Sequence, residues 1–168
     1  MDDGTPSRWR WLVWAAVALL VLGGGWWWWR GKTEPAPEVA VRAAIDQFVA
    51  GVNAWELPQA MRVVSPRFHA GEIRRGDVSR GLFQARHDWQ RLTIYVAEAS
   101  LTVSPDGQAV TAVTRISLSG VRAGGGGEQT VGENKPIEVT SEWERTDGQW
   151  LCVSATNIPY AGVDGYFE

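Results

Sequence analysis

Ile137-Glu138-Val139-Thr140-Ser141-Glu142-Trp143-Glu144-Arg145-Thr146-Asp147-Gly148-Gln149-Trp150-Leu151-Cys152-Val153-Ser154 carries the reading that decides the fold. Ile137, Val139, Ser141 and Trp143 alternate with Glu138, Thr140, Glu142 and Glu144, the period of a strand with one dry and one wet face. Asp147-Gly148 then supplies two residues that tolerate positive φ, as a tight hairpin demands. The returning strand, Gln149–Asn157, is apolar on both faces around Trp150–Val153, which places it centrally in its sheet.

Moving towards the amino terminus, the same period recurs twice. Gln108–Gly120 puts Val110, Ala112, Thr114, Ile116 and Leu118 on one face. Leu92–Val103 begins with Leu92, Ile94 and Val96 inward, but from Ala97 the phase slips and Ala99, Leu101 and Val103 become the apolar set. One extra residue in a long, bent strand, a β-bulge, has that effect. Ser104-Pro105-Asp106-Gly107 makes the turn between the two strands. Gly124 to Pro136 reads as a flexible crossing.

Before residue 90 the period is helical. Val41, Ile45, Phe48, Val52 and Trp55 follow at steps of four and three on one face, with Arg42 and Asp46 spaced for an ion pair on its flank. A short helix over Pro58–Val64 should present Met61 and Val64 inward and stop at Ser65-Pro66, followed by a brief extended piece, Arg67–Ala70. A third helix should start near Asp77 as its cap and run through Val78, Leu82, Ala85 and Trp89. Three helices packed on a bent antiparallel sheet make an α+β domain.

The order of elements, the closing Glu142–Ser154 hairpin with a tryptophan opening the last strand, and the short helix of Ala60–Phe68 leading into Ser-Pro-Arg-Phe together resemble the nuclear transport factor 2-like superfamily, also called SnoaL-like or ketosteroid-isomerase-like. The resemblance implies a cystatin-like cone, in which the sheet wraps the long helix and leaves a pocket at its open end. Members include isomerases, dehydratases, hydrolases and non-catalytic binding or assembly domains, so fold alone does not assign an activity. Catalytic members set a carboxylate or histidine base in the cone opposite a donor such as tyrosine. That points to His69, Asp46 and Tyr95 as pocket candidates, with Glu98 beside the phase slip and His87 a solvated helix residue between Arg86 and Asp88. Each has a plain structural reading as well, and no pair of them matches a family motif position by position.

Other chemistry is poorly represented. The two histidines and the single cysteine have no metal-ligand spacing, the glycines at 124–127 lack the Lys-Ser/Thr of a phosphate loop, and no cofactor is implied. Cys152, among apolar neighbours, reads as a buried, inert thiol. Beyond residue 32 acids outnumber bases, 17 to 12, which argues against nucleic acid as a partner. Seven arginines between Arg62 and Arg91 read as a surface that faces solvent or pairs with the acidic strands, in preference to a partner-binding patch.

The opening of the chain points to a membrane. Leu12 to Trp29 holds no charged residue, is bounded by Arg10 and Arg30, and as a helix would rise about 28 Å, close to the hydrocarbon thickness of a bilayer. Trp9, Trp11 and Trp14 mark one interface and Trp26–Trp29 the other. The competing reading is a cleaved signal peptide ending at Gly23-Gly24-Gly25; four tryptophans directly after the cleavage site fit an interfacial anchor better. The chain therefore reads as a cytoplasmic tail (1–10), a transmembrane anchor (11–29), a linker (30–38) extended by Pro35 and Pro37, and a cone domain (39–168). The expectation is a single-pass protein of the bacterial inner membrane, its domain in the periplasm. The bilayer would be its partner through residues 11–29, with a second copy or an envelope protein as a further partner. A non-catalytic binding or assembly role is favoured, and the alternative is a tethered isomerase, dehydratase or hydrolase using the cone pocket.

Overall fold

The computed structural model describes residues 35–124, 127–131 and 136–158. The domain it describes belongs to a compact unit spanning Ala36–Glu168. Among the described residues no helix is long and apolar enough to cross a membrane. The Leu12–Trp29 run marked for that role, and the tail before it, lie outside them.

Helix α1, Pro37–Asn53, begins inside the stretch expected to be linker. Proline is well suited to the first helical position, where its missing N–H is not needed, so Pro37 starts the helix rather than prolonging the linker. Its buried face holds Val41, Ala44, Ile45 and Val52. Arg42 does not pair with Asp46 as expected; its guanidinium reaches the Ala99 carbonyl at 3.4 Å. Gly51 is required by a close approach: a Cβ there would sit 2.7 Å from the backbone nitrogen of Ala60. That approach lets α2, Leu57–Ala60, fold back against α1. A 3-10 turn over Met61–Val63 completes what was expected as one helix from Pro58 to Val64.

Strand β1, Val64–Ala70, runs straight through Ser65-Pro66, which was expected only to end a helix. Gly71, at φ +60°, turns the chain into the two-residue β2, Ile73–Arg74. Helix α3 spans Arg75–Asp88. Asp77 lies inside its first turn rather than at the cap, and its carboxylate accepts the Arg74 N–H at 2.9 Å.

The remaining strands are β3 (Trp89–Val103), β4 (Ala109–Arg122), β5 (Gln129–Val131), β6 (Ile137–Thr146) and β7 (Gln149–Thr156). The sheet order is β2-β1-β7-β6-β4-β3, with the short β5 also on β4. β7 is central, as its two apolar faces predicted. The sheet is not wholly antiparallel, however. β1 pairs with β7 in parallel, Val64 opposite Cys152. The α1–α2 fold-back delivers β1 to the flank of β7 running in the same direction, and no property of the individual strands encodes that.

The expected bulge is present. Val96 faces Ile116 and Glu98 faces Arg115, so Ala97 is the extra residue. Both halves of β3 therefore turn their apolar sets to the same inner face. The Asp147-Gly148 turn has φ of +50° and +78°, both positive as a tight hairpin of this hand requires. Packed against the inner face are α1 and the segment that follows it, with Val41, Val52 and Val110 fully buried.

Candidate functional site: an apolar cavity inside the cone

Between the two longer helices and the inner face of the sheet lies a cavity of about 560 Å³. Each wall follows from its element's period. α1 contributes Ile45, Phe48 and Val49, which share one face at helical spacing. α3 contributes Val78, Leu82 and Ala85 in the same way. The sheet supplies Leu92 and Val96 from β3, Thr114, Ile116 and Leu118 from β4, Val139, Ser141 and Trp143 from β6, and Cys152 and Ala155 from β7. No residue of α3 is buried, although its stripe points inward. Val78, Leu82 and Ala85 are only half-buried because they border space rather than packed neighbours.

α3 is held at its ends. Arg75 donates to the carbonyls of Val64 and Met61, both at 3.0 Å. At the other end Asp88 accepts the Ala123 N–H at 2.9 Å through its carbonyl. Trp89, buried, follows directly, with the Arg122 guanidinium 5.2 Å above its ring. Gly120 leaves room for that ring, since a Cβ there would stand 2.6 Å from Trp89 Cε3.

The polar groups of the cavity are few. Trp143 Nε1 donates to Ser141 Oγ at 2.9 Å, and Ser141 Oγ donates weakly to the Ala112 carbonyl at 3.5 Å. Thr114 stands opposite Val139, and Ser141 opposite Ala112, so the two hydroxyl residues are diagonal neighbours on one face. Asp88 is the one carboxylate among the described lining residues, and it is exposed, at the rim. Its two oxygens both accept from Gln84 Nε2, at 3.1 and 3.0 Å. Arg80, also at the rim and exposed, pairs with Asp77 at 3.2 Å.

The residues expected in the pocket stand elsewhere. His69 is exposed on β1 opposite Arg74, and Asp46 is exposed on the flank of α1. Tyr95 faces Ser117 on the outer side of the sheet and is 54% exposed. Glu98 shares that outer side, where Arg115 binds it at 3.0 Å and Glu138 at 3.4 Å. His87 is exposed on α3. Among the described residues no cluster could hold a metal ion.

Burial pushes the Cys152 thiol up to about 12, with the Glu142 charge acting in the same direction, so it stays protonated and is no nucleophile at neutral pH. The Arg62–Arg91 segment does pair with acids of the strands and their connections, as one of its two readings had it. Arg67 meets Glu144 and Arg91 meets Glu128, each at 3.1 Å. The Ser119 hydroxyl, with Arg91 beside it, holds the Glu128 carboxyl below its usual range.

With this geometry established, comparison with solved structures places the fold. A protein described as a scytalone dehydratase from Novosphingobium aromaticivorans superposes with a TM-score of 0.62 at 6% identity, over 71% of this chain and 80% of that one. The fold is an α+β cone, as the resemblance implied. A type 2 hexachlorocyclohexane dehydrochlorinase, LinA, gives a TM-score of 0.55 at 15% identity, over 73% of this chain and 87% of its own. ActVI-ORFA from Streptomyces coelicolor gives 0.54 at 13%, over 71% and 93%. No protein-family model matches the sequence, and no curated protein does.

Asp88, Thr114 and Ser141 were not identified as site residues from the sequence. The signal for the last two was present: each is a hydroxyl on an otherwise apolar face of an alternating strand. Asp88 gave none, since a carboxylate at a helix end is ordinary.

Proposed function

We propose that this chain is a membrane-tethered small-molecule protein whose cone takes up an apolar compound. The observation that carries the reading is the cavity itself. Its 560 Å³ falls within the roughly 300–1,000 Å³ of small-molecule sites, and its walls are mainly apolar. Burying an apolar ligand there is favourable by about 25 cal/mol per Å² removed from water.

Of the two roles drawn from the sequence, the tethered enzyme gains the more support. The cone structures compared above include proteins named as a dehydratase and a dehydrochlorinase, and Asp88 offers a carboxylate at the cavity rim. Acid–base conversion of a bound compound would fall to Asp88, and His69, Asp46 and Tyr95 would be dispensable. The non-catalytic role draws on the absence of a base in the cavity interior among the described residues. Turnover of a panel of cyclic alcohols, ketones and haloalkanes distinguishes them. Activity lost in Asp88→Asn and kept in His69→Ala and Asp46→Asn supports the enzyme. Activity lost in either of the latter, with the fold intact, overturns the assignment to Asp88, and uptake of the same compounds without turnover returns the protein to the binding class.

Tethering rests on the Leu12–Trp29 run, with the domain in the periplasm of a bacterium. The protein should remain with membranes after an alkaline wash, and a shortened soluble form would establish the signal-peptide reading instead. A second copy or an envelope protein is proposed as a further partner, as the sequence suggested.

A further inference from the structure

We infer that the cone selects a neutral, mainly apolar molecule carrying one hydroxyl or carbonyl oxygen, and that Thr114 holds that oxygen. The inference rests on the cavity reading above and adds the chemistry of the ligand to it. Thr114 lies in the middle of β4, between Ala112 and Ile116 on the inner face, and only 6% of it is exposed. No described residue hydrogen-bonds its hydroxyl. Yet among the described residues no sealed side-chain nitrogen or oxygen lacks a partner, so the Thr114 oxygen opens on the space it lines, the cavity. Nearly all buried hydroxyls are satisfied, and one that opens on a mainly apolar space, its diagonal neighbour Ser141 already engaged by Trp143, takes its partner from outside.

Ser141 cannot fill that role as readily, because Trp143 already occupies its oxygen at 2.9 Å and its own proton points to Ala112. A single uncommitted hydroxyl serves a single ligand oxygen, either accepting from an alcohol or phenol or donating to a ketone. Ions are disfavoured. The charged groups of the lining, Arg80 and Asp88, stand exposed at the rim, so an ion moving inward would shed water without gaining a counter-charge. A site that offers a buried hydrogen-bonding group also discriminates against a hydrocarbon of the same shape, since binding it leaves the hydroxyl unpaired.

The test uses the full chain in lipid nanodiscs, with empty nanodiscs as the blank, and titrates naphthalene and 2-naphthol by calorimetry. Both should bind the wild type. Thr114→Val, which keeps the shape and the strand preference, should weaken 2-naphthol roughly three- to tenfold, the worth of one hydrogen bond. It should leave naphthalene unchanged or slightly tighter, and Thr114→Ser should keep both affinities. Melting of each variant confirms the fold. If Thr114→Val changes neither probe or both equally, while both still bind, Thr114 is not the contact and only the cavity reading survives. If neither probe binds the wild type, the cavity reading fails and this inference with it.

Discussion

Asn53, the last residue of α1, takes hold of the sheet's outermost strand on one side, and removing its amide should have a measurable cost. Its Nδ2 donates to the Ile94 carbonyl at 3.0 Å while its Oδ1 accepts the Ile94 N–H at 2.7 Å. β3 has β4 as its only neighbour in the described sheet, so these groups on its far side have no strand to pair with. Asn53→Ala removes two bonds of about 0.5–1.5 kcal/mol each and leaves a partly buried N–H unsatisfied, so about 2 kcal/mol of stability should go. For a domain of this size that is a fall in Tm of roughly 8 °C. Urea melts give the free energy, and amide exchange at Ile94 reports the local loss. Asn53→Asp sharpens the test: it keeps the acceptor for the Ile94 N–H but aims a second anionic oxygen at the Ile94 carbonyl. Repulsion of the charged form raises the folded-state pKa of that aspartate, so the variant should be most stable at low pH and weaken as pH rises through that value. An Asn53→Ala protein that melts within a degree of the wild type, with Ile94 exchange unchanged, would refute the reasoning.

Gly120→Ala should cost about 1–3 kcal/mol by overpacking, because the new methyl would fall 2.6 Å from Trp89 Cε3, and near-ultraviolet circular dichroism should register the displaced indole. Trp143→Ala should cost about 3–5 kcal/mol, towards the lower end because the removed ring already borders a cavity, whereas Trp150, half-buried at the rim of the core, should cost less; urea melts rank them. The buried Cys152 thiol makes stability fall with rising pH. From its ordinary 9.0 up to about 12 the unfolded chain loses the proton and the folded chain keeps it, a slope of about 1.4 kcal/mol per pH unit that Cys152→Ala should remove from the difference between two urea series.

What the sequence made legible was whatever a single segment encodes. The slip at Ala97 could be read because a bulge exchanges the faces of every later side chain, from Glu98 onwards. Asp147-Gly148 could be read because few dipeptides accept two positive φ values. Trp89 satisfied the helical spacing after Val78, Leu82 and Ala85 and is out of the strand phase of Leu92; a second register shift, between Trp89 and Arg91, turns it inward, so the start of β3 was placed three residues late. β5 was missed because Gln129-Thr130-Val131 is too short to show a period, and its pairing with Leu118–Gly120 is a tertiary event. The site followed the same division. His69, Asp46 and Tyr95 drew notice by residue type, and type does not say which way a side chain faces. Tyr95 points outward simply because it precedes Val96 on an alternating strand. Thr114 and Ser141 were visible as polar interruptions of dry faces, and their importance emerged only once those faces enclosed a space.

The parallel pairing of β1 with β7 also orders events during synthesis. Val64 is made early, but its sheet neighbour Cys152 leaves the ribosome only after the three long strands between them. At roughly 5–20 residues per second that is a wait of several seconds, during which Phe68 and Val64 have nothing to cover them on that side. Contacts so distant along the chain also slow the final closure of the sheet. The early helices and β1 thus spend the longest interval as sticky, unfinished surface, and there a chaperone would find the nascent chain.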